Sequence, residues 1–350
     1  MQIGPHSIGP GHPVFVIAEA GVNHNGDLAT ARALVDAAKA AGAQAVKFQT
    51  FSAEKLVTRD APKADYQIEN TRAQPNQLEM LQHLELSPTA FRQLADYCRA
   101  QEILFLSTPY GENDIRLLGE CKVVALKVAS ALAVEPRFLE HAATLGVPLI
   151  VSTGMMTMAE VALAAETLRR CSGGRFVLLQ CVTNYPAAVA SSNLRAMRVM
   201  GKKFACPVGF SDHTEGNTAS VLAVGMGACV LERHLTLDRS SEGPDHRASL
   251  SPREFSEFVR LVREAEGAMG DGQKVPMPEE TRNLSRMRRS LVVSRALPAG
   301  HVLVEGDLNC KRPATGILPV EFSSVLGRRL RVRVEEDTVL QWSMIEPDAD

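Results

Sequence analysis

The sequence predicts an α/β protein, a (β/α)8 TIM barrel followed by a small second domain. Three observations carry this: eight short apolar runs each end in a polar or ionisable residue, helical patterns separate the runs, and beyond residue 270 the texture changes to short strands and turns. Regular strand-helix alternation implies a parallel sheet with right-handed crossovers, and eight units close a barrel.

The runs are 14–18 before Glu19, 43–46 before Lys47, 103–106 before Ser107 and Thr108, 123–126 before Lys127, 148–151 before Ser152, and 176–179 before Gln180 and Cys181. The last two runs lead to His213 and His234. Each is short and almost wholly apolar, as a strand buried on both faces should be. Helical patterns occupy 28–41, 88–100, 113–118, 137–145, 158–170, 193–200 and 217–226. A last helix at 252–269, with Phe255, Phe258, Val259 and Val262 on one face, completes the set. Catalytic groups in this fold sit at the C-terminal ends of strands, where these polar residues lie. Any one of them could be a strand-end cap; eight together point to a site. Two neutral imidazoles at the ends of neighbouring strands, His213 and His234, can hold a divalent metal, whereas either alone reads as a hydrogen-bonded structural histidine.

A chain of 350 residues exceeds one ordinary domain. The expected division is a barrel at 1–270, a Gly- and Pro-punctuated linker at 271–288 and a second domain at 289–350. That last piece is near the lower limit for an independent core, so it is expected to pack on something larger. Net charge is -2 with both signs interspersed, which argues against nucleic-acid and membrane-surface partners. The basic stretch at 286–289 reads as a solvated linker or salt-bridged face rather than a nucleic-acid patch. No secretory leader or spanning segment is legible, so a cytoplasmic protein is expected. The seven cysteines are odd in number and form no C-x-x-C pair, which favours reduced thiols.

Motifs at 17–26 (IAEAGVNHNG), 46–50 (VKFQT), 107–109 (STP), 127–130 (KVAS), 152–155 (STGM), 209–214 (GFSDHT), 232–234 (ERH), 243–246 (GPDH) and 311–313 (KRP) follow one another in order. On these the chain resembles, over essentially its whole length, the sialic acid synthase family. The segments 62–67 (PKADYQ) and 77–81 (QLEML) look like the bacterial branch that makes N-acetylneuraminic or legionaminic acid. The resemblance implies condensation of phosphoenolpyruvate with an N-acetylmannosamine-type aldose, giving a nonulosonic 2-keto-3-deoxy acid and phosphate. It further implies that the tail is an antifreeze-like β-clip (SAF) domain, which caps the partner's site in a domain-swapped homodimer.

The residue types suit that chemistry. Phosphoenolpyruvate carries a phosphate and a carboxylate, and Lys47, Lys127, Ser130, Ser152 and Ser211 supply cations and donors at one mouth, with Gln49, Thr108 and Thr183 as further candidates. Lys127 could instead form a Schiff base with a carbonyl substrate. His213 and His234 would hold Mn2+, with Mg2+ or Co2+ as alternatives, to polarise the acceptor's carbonyl. Glu19 is the candidate general base for water attack, its alternative being a cap on the following turn. Tyr185 and Asp245 are expected at the sugar, and by resemblance Arg312 reaches the sugar's N-acyl carbonyl from the other subunit. His24 and His246 have no assigned metal role.

One departure stands out. The family usually has an acidic residue two positions beyond Ser130, in contact with the acceptor, and here that position is Leu132. The expectation is that phosphoenolpyruvate chemistry is kept while the acceptor changes, for example to 2,4-diacetamido-2,4,6-trideoxymannose or another aldehyde. A Schiff-base aldolase and a non-catalytic carbohydrate-binding homologue are the rival readings.

Overall fold

A computed structural model describes residues 1–71 and 75–347; residues 348–350, the end of the expected second domain, lie outside them. The chain forms two units, Met1–Gly270 and Asp271–Asp350.

The first unit is an eight-stranded parallel barrel wrapped by helices. Its strands are β1 (Phe15–Gly21), β2 (Ala45–Thr50), β3 (Leu104–Pro109), β4 (Leu126–Val128), β5 (Leu149–Ser152), β6 (Phe176–Cys181), β7 (Val208–Asp212) and β8 (Val230–His234). Hydrogen-bonded pairing runs β3-β2-β1-β8-β7-β6-β5-β4, and β3 lies against β4 at the seam. The eight crossover helices are α1 (Leu28–Ala40), α2 (Pro88–Ala100), α3 (Glu112–Glu120), α4 (Pro136–Ala143), α5 (Met158–Ser172), α6 (Leu194–Phe204), α7 (Thr218–Gly225) and α8 (Pro252–Met269). Local chemistry sets their starts. Ser87, Thr157 and Ser251 accept hydrogen bonds from backbone amides as N-caps, with Pro88 and Pro252 in the first turn.

The strands run further than the apolar runs. Most polar residues expected just beyond the strands lie inside them, including Glu19, Lys47, Thr108, Lys127 and Ser152. A buried strand alternates faces with period 2, so a charged side chain can enter the barrel while its backbone stays in the ladder. Phe15, Ile17, Ala45, Leu106, Ala125, Ile150, Val177, Leu179 and Val230 fill the interior, plugged by Ile3 and Ile8 of the N-terminal hairpin. The opposite faces pack on the helices. Gly209 has no room for a side chain, since a Cβ there would sit 2.3 Å from the Val230 carbonyl oxygen.

Outward-facing Arg233 and Asp212 pair at 2.6 Å, almost wholly buried beneath the helices. Asp212 also accepts from the Thr214 amide and hydroxyl, so it anchors the β7-α7 loop while its neighbours serve the interior.

The connection from β2 to α2 holds three short helical segments that the sequence pattern does not reveal: Ala53–Leu56, Asp65–Asn70 and Gln77–Leu84. Each is too short for periodicity to register. They build a small core of Val22, Phe51, Met80 and Leu84.

In the second unit, β9 (Ser290–Val293) pairs antiparallel with β10 (Leu308–Lys311). Isolated bridges such as Val292 to Val339 and Leu297 to Val334 replace several expected strands. The unit has a core of its own, including Leu291, Val293, Leu303, Ile317, Leu330 and Leu340. Residues 271–288 are largely exposed and contain helical turns at Pro278–Thr281 and Leu284–Met287.

Candidate active site

A cavity of about 340 Å³ opens at the C-terminal mouth of the barrel. Glu19, Lys47, Gln49, Thr108, Lys127, Ser130, Ser152, Thr183, Tyr185, Ser211, His213, His234 and Asp245 all line it. Arg312 belongs to the second unit, exposed just past β10 and followed by a cis peptide bond to Pro313.

Strand register explains the convergence. Glu19 is paired in register with Lys47 on one side and His234 on the other, and Ser211 with Glu232. Lys47 Nζ lies 2.8 Å from Glu19 Oε2 and donates to Thr108 Oγ1 at 3.0 Å. Gln49 Nε2 donates to Glu19 Oε1 at 3.2 Å. Across the cavity Lys127 Nζ sits 3.5 Å from Glu232 Oε1, and the same oxygen is 3.7 Å from Lys47 Nζ. Ser211 Oγ donates to that oxygen at 3.2 Å. Ser130 Oγ accepts from the Gly154 amide at 2.8 Å, whereas Ser152 Oγ and Glu232 Oε2 are buried without a hydrogen-bond partner.

Glu232 is the principal residue that sequence reasoning missed. The signal was present: alternation along β8 puts Val230, Glu232 and His234 on one face.

The environment tunes these groups in different directions. Burial raises the Glu19 carboxyl, partly opposed by Lys47. Burial also works to raise Glu232, but Lys127 and Lys47 outweigh it and its pKa is lowered. Lys127 is lowered by burial, with Glu232 opposing, while for Lys47 the attraction of Glu19 and Glu232 overcomes desolvation and raises it. Asp245 is raised to about 7 by burial and by the nearby Glu19 charge. Two lysines, two carboxylates and the hydroxyls of Ser130, Ser152 and Ser211 therefore form one buried polar cluster at the mouth.

The two histidines lie with ring centroids 5.4 Å apart. Burial lowers His213 to about 4 and takes His234 well below its ordinary value, so both are neutral near pH 7, the form that binds metals. His213 Nδ1 donates to the Val182 carbonyl at 2.7 Å, which leaves Nε2 as the basic nitrogen. His234 Nδ1 is buried with no hydrogen-bond partner, and Asp245 Oδ2 is 3.8 Å away. Both residues fit a divalent ion. Among the described residues no cluster of three His, Cys, Asp or Glu side chains is arranged to hold a metal, so two histidines would leave room for substrate oxygen or water.

At the far side Tyr185 stacks on His213, with centroids 4.2 Å apart, and Tyr66 lies 5.1 Å from Tyr185. Leu56, Val57, Met80, Leu81 and Leu84 make this wall apolar. Tyr66, Tyr110 and this wall were not anticipated, because they come from the unrecognised helical segments and the end of β3. Leu132 is also corrected. It packs half-buried against the barrel-helix core and does not line the cavity, whereas Ala131 does, because the turn Ser130–Ala133 points its third residue inward. His24 is buried, its Nδ1 accepting from the Gly26 amide and its Nε2 unpartnered. His246 bonds Thr236 and Asn25, so both histidines hold loops.

Comparison with known proteins shows the family and the fold. Residues 34–274 match the NeuB family and residues 288–346 match the SAF domain. The chain is 44% identical to N,N'-diacetyllegionaminic acid synthase of Legionella pneumophila, covering 95% of this chain and 94% of that one. It is 39% identical to the Campylobacter jejuni protein of the same name, covering 93% and 98%. The crystal structure of an N-acetylneuraminic acid synthetase from Leptospira borgpetersenii, in complex with citrate, superimposes with a TM-score of 0.72 at 32% identity, covering 81% of this chain and 94% of that one.

Proposed function

The chain belongs to the NeuB family of sialic-type acid synthases, and from that premise we propose that it condenses phosphoenolpyruvate with an N-acylated amino-aldose to give a nonulosonic 2-keto-3-deoxy acid and phosphate. The observation that carries the reading is the buried pair Lys47 and Lys127, with unpaired Ser152, beside two neutral histidines in one cavity.

Lys47, Lys127, Ser152 and Ser211 bind the phosphate and carboxylate of phosphoenolpyruvate, with Thr108, Ser130, Thr183 and Gln49 shaping the cradle. His213 and His234 would hold a divalent ion, Mn2+ by preference, which would supply Lewis-acid polarisation of the acceptor's aldehyde. The C2–C3 π electrons of phosphoenolpyruvate form the new bond from C3 to that carbonyl carbon, whose oxygen takes up a proton, and C2 is left as an oxocarbenium carbon. Water then adds at C2, and the C2–O bond to phosphate breaks as the new hydroxyl loses its proton, giving the 2-keto group and inorganic phosphate. Glu19, whose carboxyl is raised by burial, takes the proton from that water. Asp245 accepts hydrogen bonds from sugar hydroxyls, and Tyr185 supplies a flat wall. Arg312 acts from the second domain of a partner subunit on the N-acyl carbonyl.

The apolar wall of Leu56, Met80 and Leu84 favours an acceptor whose far end is deoxygenated, such as 2,4-diacetamido-2,4,6-trideoxymannose, over N-acetylmannosamine. The test is phosphate release from phosphoenolpyruvate with Mn2+ and each sugar, with and without chelator. Chelator-sensitive release, faster with the trideoxy sugar, is expected. Chelator-resistant turnover that borohydride traps on Lys127 would replace this mechanism with a Schiff-base aldolase.

A further inference from the structure

A site made of two buried lysines and free hydroxyls holds inorganic phosphate by the same contacts that hold the phosphate of a substrate. Turnover nevertheless requires the product to leave. Glu232 lies where it can govern that step. Its Oε1 is 3.5 Å from Lys127 Nζ and 3.7 Å from Lys47 Nζ, whereas the Lys47 pair with Glu19 closes to 2.8 Å. Glu232 therefore attracts both ammonium groups while tightly pairing with neither. Its side chain is only 5% exposed, so water screens the attraction poorly.

Two features keep the carboxylate in place. Strand β8 fixes its direction, and Ser211 holds Oε1 at 3.2 Å. The second oxygen, Oε2, is buried and unpartnered, and Glu232 lines the cavity. With both carboxylates ionised, Glu19 and Glu232 balance the charges of Lys47 and Lys127. An incoming anion competes with Glu232 for the lysines, and a departing one returns them to it.

Resting on the reading of this cavity as a phosphoenolpyruvate site, we infer that Glu232 is a positioning residue for product release, the counter-ion that takes back Lys47 and Lys127 as phosphate departs. Replacing it by glutamine keeps the shape and leaves the site one charge more positive.

The experiment uses the metal-loaded full chain and inorganic phosphate as probe, measured by calorimetric titration and by competition with phosphoenolpyruvate. Glu232→Gln should bind phosphate at least about tenfold more tightly, as expected for loss of a unit charge roughly 4 Å from two cations. Its KM for phosphoenolpyruvate should fall, and kcat should fall with a first-turnover burst of the condensed acid, which marks slow release. Glu232→Asp, which keeps the charge but draws it back, should lie between Glu232→Gln and wild type and serves if the glutamine variant does not fold. Phosphate affinity that is unchanged or weaker in both variants overturns the inference, as does a fall in kcat with raised KM and no burst, the signature of a merely structural carboxylate. Wild-type protein that neither turns over phosphoenolpyruvate nor binds phosphate overturns the functional reading itself, and that control separates the two failures.

Discussion

The floor and the mouth of the barrel are built from the same strands and the same interior face, yet they are opposite in character. Along β1 the inward residues are Phe15, Ile17 and then Glu19; along β8 they are Val230, then Glu232 and His234. The floor is an apolar plug in which Phe15, Ile17, Leu106, Ile150, Val177 and Leu179 pack with Ile3 and Ile8. One layer above it, charges are buried that would be costly alone and are tolerable only because Lys47, Lys127, Glu19 and Glu232 neutralise one another. The floor supplies stability and the mouth spends it on a preorganised site, so substitutions in the two layers should separate cleanly into loss of fold and loss of activity.

The largest expected effect belongs to the mouth. His213→Ala should lower kcat/KM by about 10³-fold or more, the several kcal/mol that a Lewis-acid metal contributes, while the melting temperature hardly moves. Excess chelator should reproduce the loss in wild-type protein and leave the variant's residual rate unchanged. A variant that instead melts much earlier would erase the distinction between the layers.

The floor should behave in reverse. Ile150, fully buried and in register with Lys127, leaves a cavity when cut to alanine, at a cost of about 2–5 kcal/mol in denaturant titration. The protein that stays folded should keep its KM for phosphoenolpyruvate.

His24 tests the loop above β1. Burial holds its folded pKa at about 4 against an ordinary 6.5, so between these values the unfolded chain binds a proton that the folded chain does not. The His24 contribution to stability therefore falls as pH drops from 6.5 towards 4 and then levels, about 3 kcal/mol in all, beside those of the buried neutral His213 and His234. His24→Asn, which can still accept from the Gly26 amide, should make the melting-temperature profile shallower over that window; an unchanged slope would assign the acid sensitivity elsewhere.

The smallest effect is expected at Leu132. Leu132→Glu places an acidic residue at this position, but the side chain packs against the core and does not line the cavity. Acceptor KM should change by less than about threefold, the main consequence being a modest loss of stability from a half-buried charge. A large gain in the use of N-acetylmannosamine would show that the turn can present this side chain to the sugar.

Much of this was legible in advance. Apolar runs of strand length, helical patterns between them and the polar residue at each strand end located Glu19, Lys47, Lys127, Ser152 and both histidines. Less was legible in the β2-α2 connection, where short helical segments hide Tyr66, Met80 and Leu84 from any periodicity argument. Leu132 misled because its motif position is a property of sequence, whereas its direction is set by how the short turn after β4 packs. Glu232 was overlooked although alternation along β8 places it beside His234.

By itself, then, the sequence determined where the eight barrel strands lie and which chemical groups follow their apolar runs to the barrel mouth, because periodicity and covalent spacing act within a single element. Only the tertiary structure decided that one oxygen of Glu232 lies between lysines from two other strands, that Leu132 turns away from the cavity and that an apolar wall closes its far side. Those are distances across a closed barrel, and they depend on register, closure and packing between segments far apart in the chain.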